Sequence, residues 1–260
     1  PAAKKAAKKT SKKTTKKSAK KTAKKTAKKT TKKSTRKAPS PGTKRVVKAG
    51  NRKKEMSRIL RAAYWLAGGA YAASRAVGSR RLLLASKPAV VPLLLDAPLA
   101  APSPEREVGL VGLAGGWAGD VVLLRENSLP QGAAAFAVNQ AAYQWLLWRR
   151  GARFRPGPLA LRAVPFAAAA WFGRRHLGLV LLYGGMVTAT SALAADPQLR
   201  GRGLAGLAVG GDLFLLSDSL ILVRMLLPSR DSGLARGLEG AVAGTYVTAP
   251  RLLVDGLFRR

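Results

Sequence analysis

Three ionisable residues lie within otherwise apolar stretches of this 260-residue chain and are its first candidates for chemistry: Lys87, Asp120 and Asp218. An ionisable group at membrane depth costs several kcal/mol unless it is paired or hydrated, so it is a functional candidate by default. The structural alternative is that Lys87 pairs with an aspartate and fixes helix packing. The residue types alone leave both interpretations open.

Further polar residues occur in the same apolar stretches. Asn139, Gln140, Tyr143 and Gln144 are spaced three and four residues apart, which places them on one helix face. Amide hydrogen bonds between helices would explain this face without chemistry. Other charged residues occur within apolar stretches or near their predicted ends: Asp96, Asp212, Arg224, and Asp255 with Arg251 one turn away. We expect Asp96 and Asp255 to be interfacial.

Several kinds of site are excluded by composition. The chain has no Cys, which rules out disulfides, thiolate metal sites and cysteine nucleophiles. His176 is its only histidine and lies beside Arg174 and Arg175 at an apparent helix end, so we expect an interfacial histidine. The sequence therefore predicts neither a metal site nor a cofactor.

A lysine-rich tail precedes the apolar stretches. Residues 1–54 hold 24 Lys and Arg and no acidic residue, which gives +24 of the formal net charge of +35. No apolar stripe in this segment offsets the ordering entropy, so we predict disorder, with a hinge at Pro39, Pro41 and Gly42. The predicted division is a disordered tail at 1–54 and a membrane domain at 55–260.

The tail resembles the lysine-rich tails of linker histones in composition only. Such a polycation binds anionic lipid headgroups or DNA phosphates. No aromatic residue precedes Tyr64, so base stacking is not supported. We expect an anionic membrane surface as partner, with unspecific nucleic-acid contact or a simply solvated tail as the alternatives. No apolar signal-peptide segment occurs in the first 50 residues, so secretory cleavage is not expected.

From Ile59 onward, apolar stretches of 17 to 24 residues alternate with short connectors rich in Arg, Pro and Gly. A membrane-spanning helix needs about 20 such residues. The sequence therefore predicts an all-α, polytopic membrane bundle of about eight transmembrane helices. The predicted spans are residues 58–79, 82–101, 107–124, 129–149, 157–173, 177–194, 204–227 and 235–256.

An even number of spans places both termini on one side of the membrane. The basic residues at 44–54 put that side in the cytoplasm, and the arginines of residues 149–155 then fall on the same side. We predict a multi-pass protein of the plasma membrane with a cytoplasmic tail and C-terminus.

The third predicted span carries a glycine stripe. Gly109, Gly112, Gly116 and Gly119 recur at intervals of three and four, which lets a neighbouring helix approach closely. Asp120 lies about 40° around the helix from Gly116, so its carboxylate should point into the bundle.

Three segments of these spans resemble the YhhN family of membrane lysoplasmalogenases, enzymes that cleave the vinyl-ether bond of lysoplasmalogens. They are residues 86–94, residues 119–124 and residues 210–219, the last containing Phe214 and Ser217-Asp218-Ser219 at the family's spacing. The resemblance covers residues 58–256 and excludes the tail. The chain departs from the family pattern at Gln140, where His is common, and at Ala249-Pro250, where Ala-Gln is usual.

The resemblance implies a lysophospholipid substrate and a hydrolase. A vinyl ether is hydrolysed by protonation of its β-carbon, which needs a positioned acid, and a second carboxylate stabilises the resulting cation. We expect Asp120 and Asp218 to converge as this catalytic pair, with the acid and base roles open. Lys87 would contact phosphate or bias one aspartate toward ionisation. The remaining candidates are Ser217 and Ser219, which would hold Asp218 or the water, and Gln140 and Tyr143, which would line the pocket.

Two other classes of function fit the same residues. A transporter would use the intramembrane aspartates to carry protons, but no convincing internal repeat is present. A membrane anchor whose function resides in the tail would not need buried acids.

Overall fold

The structure is a computed structural model that describes residues 41–202, 204–227 and 233–258, with side chains from residue 55 on. All regular structure in these ranges is helical. The long segments are α1 (Pro41–Val77), α2 (Arg80–Leu99), α3 (Glu105–Val122), α4 (Leu129–Arg149), α5 (Pro156–Phe172), α6 (Arg174–Ala194), α7 (Ala205–Leu226) and α8 (Gly233–Phe258). Each predicted span coincides with one of them, which confirms the all-α prediction for the described residues.

Three of the described helices are long and apolar enough to cross a membrane, namely α2, α6 and α7. The other helices are too short, too charged or less apolar; α5, for example, has 17 residues. The prediction of about eight crossings therefore stays a prediction, while an apolar helical bundle is established.

The predicted tail lies largely outside the described residues. Residues 1–40 are not described, so their predicted disorder and binding partners stay predictions. The backbone of residues 41–54 differs from the prediction of irregular chain, because α1 already begins at Pro41. Proline fits a first helical turn, and the Lys, Arg, Ala and Met that follow favour helix. The chain divides into two units, residues 1–53 and residues 54–260, and the bundle considered below is the second.

Two of the long segments change helix type along their length. In α2 the α-helix Arg80–Val90 passes into a 3₁₀ turn at Val91–Leu94 and a short helix at Asp96–Leu99, since prolines remove backbone donors there. In α6 a π-helical turn at Val180–Gly184 precedes the α-helix Gly185–Ala194. Such single π turns occur frequently at functional sites.

The glycine stripe of α3 packs against α4. A Cβ atom added to Gly112 would lie 2.6 Å from the Cβ of Ala142, and one added to Gly119 would lie 2.6 Å from the Phe136 ring. Asn139 donates a hydrogen bond from Nδ2 to the carbonyl of Gly112 at 2.8 Å. The predicted close approach is confirmed, and Asn139 serves this packing.

Asp196 joins two connectors at one end of the bundle. Its carboxylate accepts hydrogen bonds from the backbone N–H of Arg153 at 2.7 Å and of Gln198 at 3.0 Å, and it pairs with Arg155 at 3.4 Å. Burial by itself would raise the pKa of Asp196. The two N–H donors and the Arg155 guanidinium outweigh burial, so the pKa of Asp196 lies below its usual value. The carboxylate thus caps the short helix Pro197–Gly201 in its ionised form.

Replacing the Asp196 carboxylate should remove its contribution to the pH dependence of stability. Asp196→Asn should lower the melting temperature at pH 7, at a cost of about 1 to 2 kcal/mol, because the amide is a weaker acceptor and loses the Arg155 pair. Since the folded-state pKa is lowered, the stabilisation is present at neutral pH and is lost as the pH falls through that pKa. Melting curves of wild type and variant in detergent should therefore converge in acid. The exposed Glu126→Gln variant is the control, and a gap that stays constant into acid would contradict the assignment.

Candidate active site

A cavity of about 150 Å³ lies inside the bundle, and both predicted acids, Asp120 and Asp218, line it. All eight long segments contribute to its wall, which is mainly apolar. The lining residues are Tyr71, Lys87, Asp120, Leu123, Leu129, Ala133, Phe136, Pro165, Phe166, Ala169, His176, Leu179, Val180, Tyr183, Gly184, Val187, Thr188, Phe214, Leu215, Ser217, Asp218, Ser219, Ile221, Leu222, Met225, Val242 and Tyr246. α3 and α7 thus each place one of the two predicted acids on the wall of the same cavity.

Asp120 is fully buried and has two partners on its carboxylate. Lys87 places its Nζ atom 3.4 Å from Oδ1, and Tyr246 donates a hydrogen bond to Oδ2 at 2.7 Å. The Lys87 ammonium also lies 5.6 Å from the centre of the Tyr71 ring. A cation and a hydroxyl donor together stabilise the ionised form of this carboxylate.

The position of Lys87 depends on two prolines in α2. The carbonyl of Pro88 has no helical partner, because residue 92, which would donate to it, is also proline. The indole N–H of Trp117 donates to that carbonyl instead, at 3.0 Å. Trp117 precedes Asp120 by three residues on α3, so this bond holds Lys87 beside Asp120.

Tyr246 is held by aromatic packing. Its ring makes edge-to-face contacts with Phe136 at 6.2 Å, Phe214 at 6.1 Å and Tyr71 at 6.3 Å between ring centres. Such contacts fix a ring beyond what burial alone provides. The phenol oxygen of Tyr246 is thereby aimed at Asp120.

Asp218 has a different environment. Tyr183 donates a hydrogen bond to its Oδ2 at 2.9 Å, and no ion pair among the described residues includes Asp218. Tyr183 belongs to the π-helical turn of α6, which shifts the register of that helix just before the cavity. The two acids therefore share a cavity but not a charge partner.

The hydroxyls of Ser217 and Ser219 do not donate to Asp218, and the alternative that they hold the water stays a prediction. The Ser217 hydroxyl donates to the carbonyl of Val242 at 3.2 Å, and Ser219 donates to the carbonyl of Leu215 at 2.8 Å. Both residues line the cavity. Serine in a helix commonly bonds to the carbonyl one turn earlier, which explains Ser219. The hydrogen-bond donor to Asp218 is Tyr183.

Gln140 and Tyr143 were expected to line the pocket, and the structure places them elsewhere. Both are buried in α4, but neither is among the cavity residues. Phe136, one turn earlier on α4, occupies the wall in their place. Gln140 and Tyr143 therefore lie one and two helical turns beyond Phe136 on α4, outside the cavity wall.

The remaining intramembrane charges form pairs outside the cavity. Buried Arg162 of α5 donates from Nε to Asp212 at 3.0 Å and to Ser191 at 2.6 Å. Arg251 pairs with Asp255 one turn away, as the spacing indicated. These pairs stabilise helix contacts and take no part in the site. Among the described residues, no group of three or more His, Asp or Glu side chains is arranged to hold a metal ion.

Three site residues were missed by the sequence interpretation: Tyr183, Tyr246 and Thr188. A detectable signal existed for the two tyrosines, because a phenol within an apolar helix needs a hydrogen-bond partner and the buried carboxylates supply it. Thr188 gave no such signal, since threonine is common in apolar helices.

Comparison with known proteins places the chain in a family. The model of the YhhN family matches residues 82–257. The chain belongs to the YhhN family. The match confirms the resemblance but begins after α1, whereas the resemblance was expected from residue 58. Family membership and the apolar helices together indicate a membrane protein. No curated protein and no solved structure shows significant similarity to the chain.

The buried pair of Lys87 and Asp120 can be tested by a double-mutant cycle. Lys87→Met should destabilise the protein by about 3 to 5 kcal/mol, because it leaves a buried carboxylate without its cation. Asp120→Asn should cost less, since the amide oxygen still accepts from Tyr246. The double variant should be more stable than Lys87→Met alone, as measured by denaturant unfolding in detergent. Additive effects would show that the two groups do not interact.

Proposed function

We propose that this protein is an integral membrane hydrolase that cleaves the vinyl-ether bond of a lysoplasmalogen or a related lysolipid, releasing an aldehyde and a glycerophospho-alcohol. The observation that carries the proposal is a pair of carboxylates with unlike partners, Asp120 and Asp218, on one apolar cavity in a member of the YhhN family.

The acid role belongs to Asp218. An ionised carboxylate in an apolar wall without a cation is costly, so the protonated form is favoured there. A neutral carboxyl at neutral pH is a suitable acid for protonating carbon, which is the difficult step of vinyl-ether hydrolysis. The Tyr183 hydroxyl stabilises the carboxylate that remains after the proton has left.

Asp120 supports the charge that develops next. Protonation of the β-carbon converts the vinyl ether to an oxocarbenium ion, and a nearby carboxylate lowers the energy of that cation. Lys87 and Tyr246 keep Asp120 ionised and in place. Lys87 therefore acts on Asp120, which is one of the two roles expected for it.

The reaction then needs one water molecule. Water adds to the oxocarbenium carbon and gives up a proton, which returns to Asp218, so that a hemiacetal forms. Breaking the carbon–oxygen bond of the hemiacetal gives the aldehyde and the free alcohol. The net reaction consumes one water and leaves both carboxyl groups as they began, so it requires no oxidant, metal or cofactor.

Removal of either acid should abolish the activity. Asp120→Asn and Asp218→Asn should each reduce aldehyde release from a lysoplasmalogen by at least about 100-fold, the usual contribution of a positioned acid or base. The assay uses purified protein in detergent, with aldehyde detection on a panel of lysolipids. Asp255→Asn is the matched control, because it lies outside the cavity and its amide still accepts from Arg251. Full activity in both cavity variants would refute the assignment.

We also propose the predicted orientation, with the C-terminus and the connector before α7 in the cytoplasm of the plasma membrane. The chain has no Cys, so single cysteines report topology without background. Glu126→Cys, in the connector after α3, should react with a membrane-impermeant maleimide in intact cells. Arg200→Cys, at the opposite bundle end, should react only after permeabilisation. The reverse pattern would invert the topology.

A further inference from the structure

Two buried side chains beside the cavity have polar atoms without partners. Gln140 is fully buried, and neither its Nε2 nor its Oε1 atom has a hydrogen-bond partner among the described residues. Thr188 is 7% exposed, and its hydroxyl is likewise unpartnered there. Buried polar groups are nearly always hydrogen-bonded, so an unpartnered hydroxyl on the cavity wall and an unpartnered amide one helical turn from a wall residue indicate a ligand.

Thr188 differs from the other helical threonines in where its hydroxyl points. Thr190 and Thr248 donate to the carbonyls one turn earlier, Met186 and Gly244, at 3.0 and 2.9 Å. The corresponding carbonyl for Thr188 belongs to Gly184, the last residue of the π-helical turn, where the usual register is lost. The Thr188 hydroxyl is therefore available for a hydrogen bond to a group in the cavity, whose wall includes this residue.

Gln140 lies next to the same region. It follows Phe136, a wall residue, by four positions and so sits about 40° around α4 from it, one turn further along. One further turn along α4, Gln144 donates to the carbonyl of Met186 at 2.9 Å and to Thr190 at 3.2 Å. This face of α4 thus packs against the part of α6 that contains Thr188.

We propose that Gln140 and Thr188 form a subsite for one neutral hydroxyl group where α4 and α6 meet beside the cavity. An amide offers a donor and an acceptor, and the threonine hydroxyl offers both, so together they match a hydroxyl that donates and accepts. This inference rests on the proposed function and assigns the subsite either the attacking water or the free alcohol of the lysolipid glycerol. Gln140 and Thr188 are accordingly positioning residues for the reaction.

The test pairs two near-isosteric variants with two substrates. Thr188→Val and Gln140→Met should each lower kcat/KM for a lysoplasmalogen about tenfold, and Thr188→Ser should restore it. If the ligand is the glycerol alcohol, an analogue lacking that hydroxyl should be insensitive to both variants. If the ligand is water, the variants should lower the turnover of both substrates equally. Thr248→Val, outside the cavity, is the control, and unchanged kcat/KM on both substrates would overturn the subsite.

If the wild-type protein cleaves no lysolipid, the proposed hydrolase is refuted but the subsite is not. A second measurement then tests the subsite. A hydroxyl with no ligand is a pure desolvation cost, so its removal would raise stability. If the subsite holds water, Thr188→Val should leave the melting temperature unchanged or lower it. A clear rise in the melting temperature of Thr188→Val over wild type would overturn the subsite.

Discussion

The ion pair of Lys87 and Asp120 is the interaction on which the site depends. The Asp120 carboxylate is so deeply buried that it requires a cation. Lys87 supplies that cation from α2, just before the helix changes type. Because residue 92 cannot donate to the carbonyl of Pro88, that carbonyl is available to Trp117, and the bond between them aligns α2 with α3. The irregularity of α2 and its contact with α3 thus fix the Lys87–Asp120 ion pair in a mainly apolar cavity wall.

The second acid is set up by a second irregularity. The π-helical turn of α6 presents Tyr183 to Asp218 and frees Thr188 from the usual backbone bond. An uninterrupted α-helix would pair every carbonyl four residues on and would direct threonine hydroxyls inward to the backbone. The two carboxylates lie on the regular helices α3 and α7, whereas their partners Lys87 and Tyr183 lie where α2 and α6 depart from regular geometry. Helix irregularities thus position the partners of both acids.

Hydropathy was sufficient to predict the helices, and it also singled out Asp120 and Asp218, which both line the cavity. The apolar stretches located every long helix. The glycines spaced three and four residues apart correctly predicted the packed face of α3. The partners of Asp218 could not be obtained this way, because the π-helical turn has no sequence signature and it decides where Tyr183 points. Neighbours in sequence, Ser217 and Ser219, were the natural expectation, yet their hydroxyls bond to carbonyls. Gln140 was expected on the cavity wall, but the wall residue of α4 is Phe136, one helical turn earlier.

The contrast between Asp212 and Asp218 shows why an intramembrane charge is not by itself a site. Six residues on one helix rotate a side chain by about 240°, so the two carboxylates of α7 face different neighbours. Asp212 meets Arg162, whose buried guanidinium needs a counterion, and the pair closes a contact between α5 and α7. Among the described residues, Asp218 accepts a hydrogen bond from Tyr183, takes part in no ion pair and lines a mainly apolar cavity. Asp212 is neutralised by its ion pair, and this difference is why we propose Asp218 rather than Asp212 as the acid.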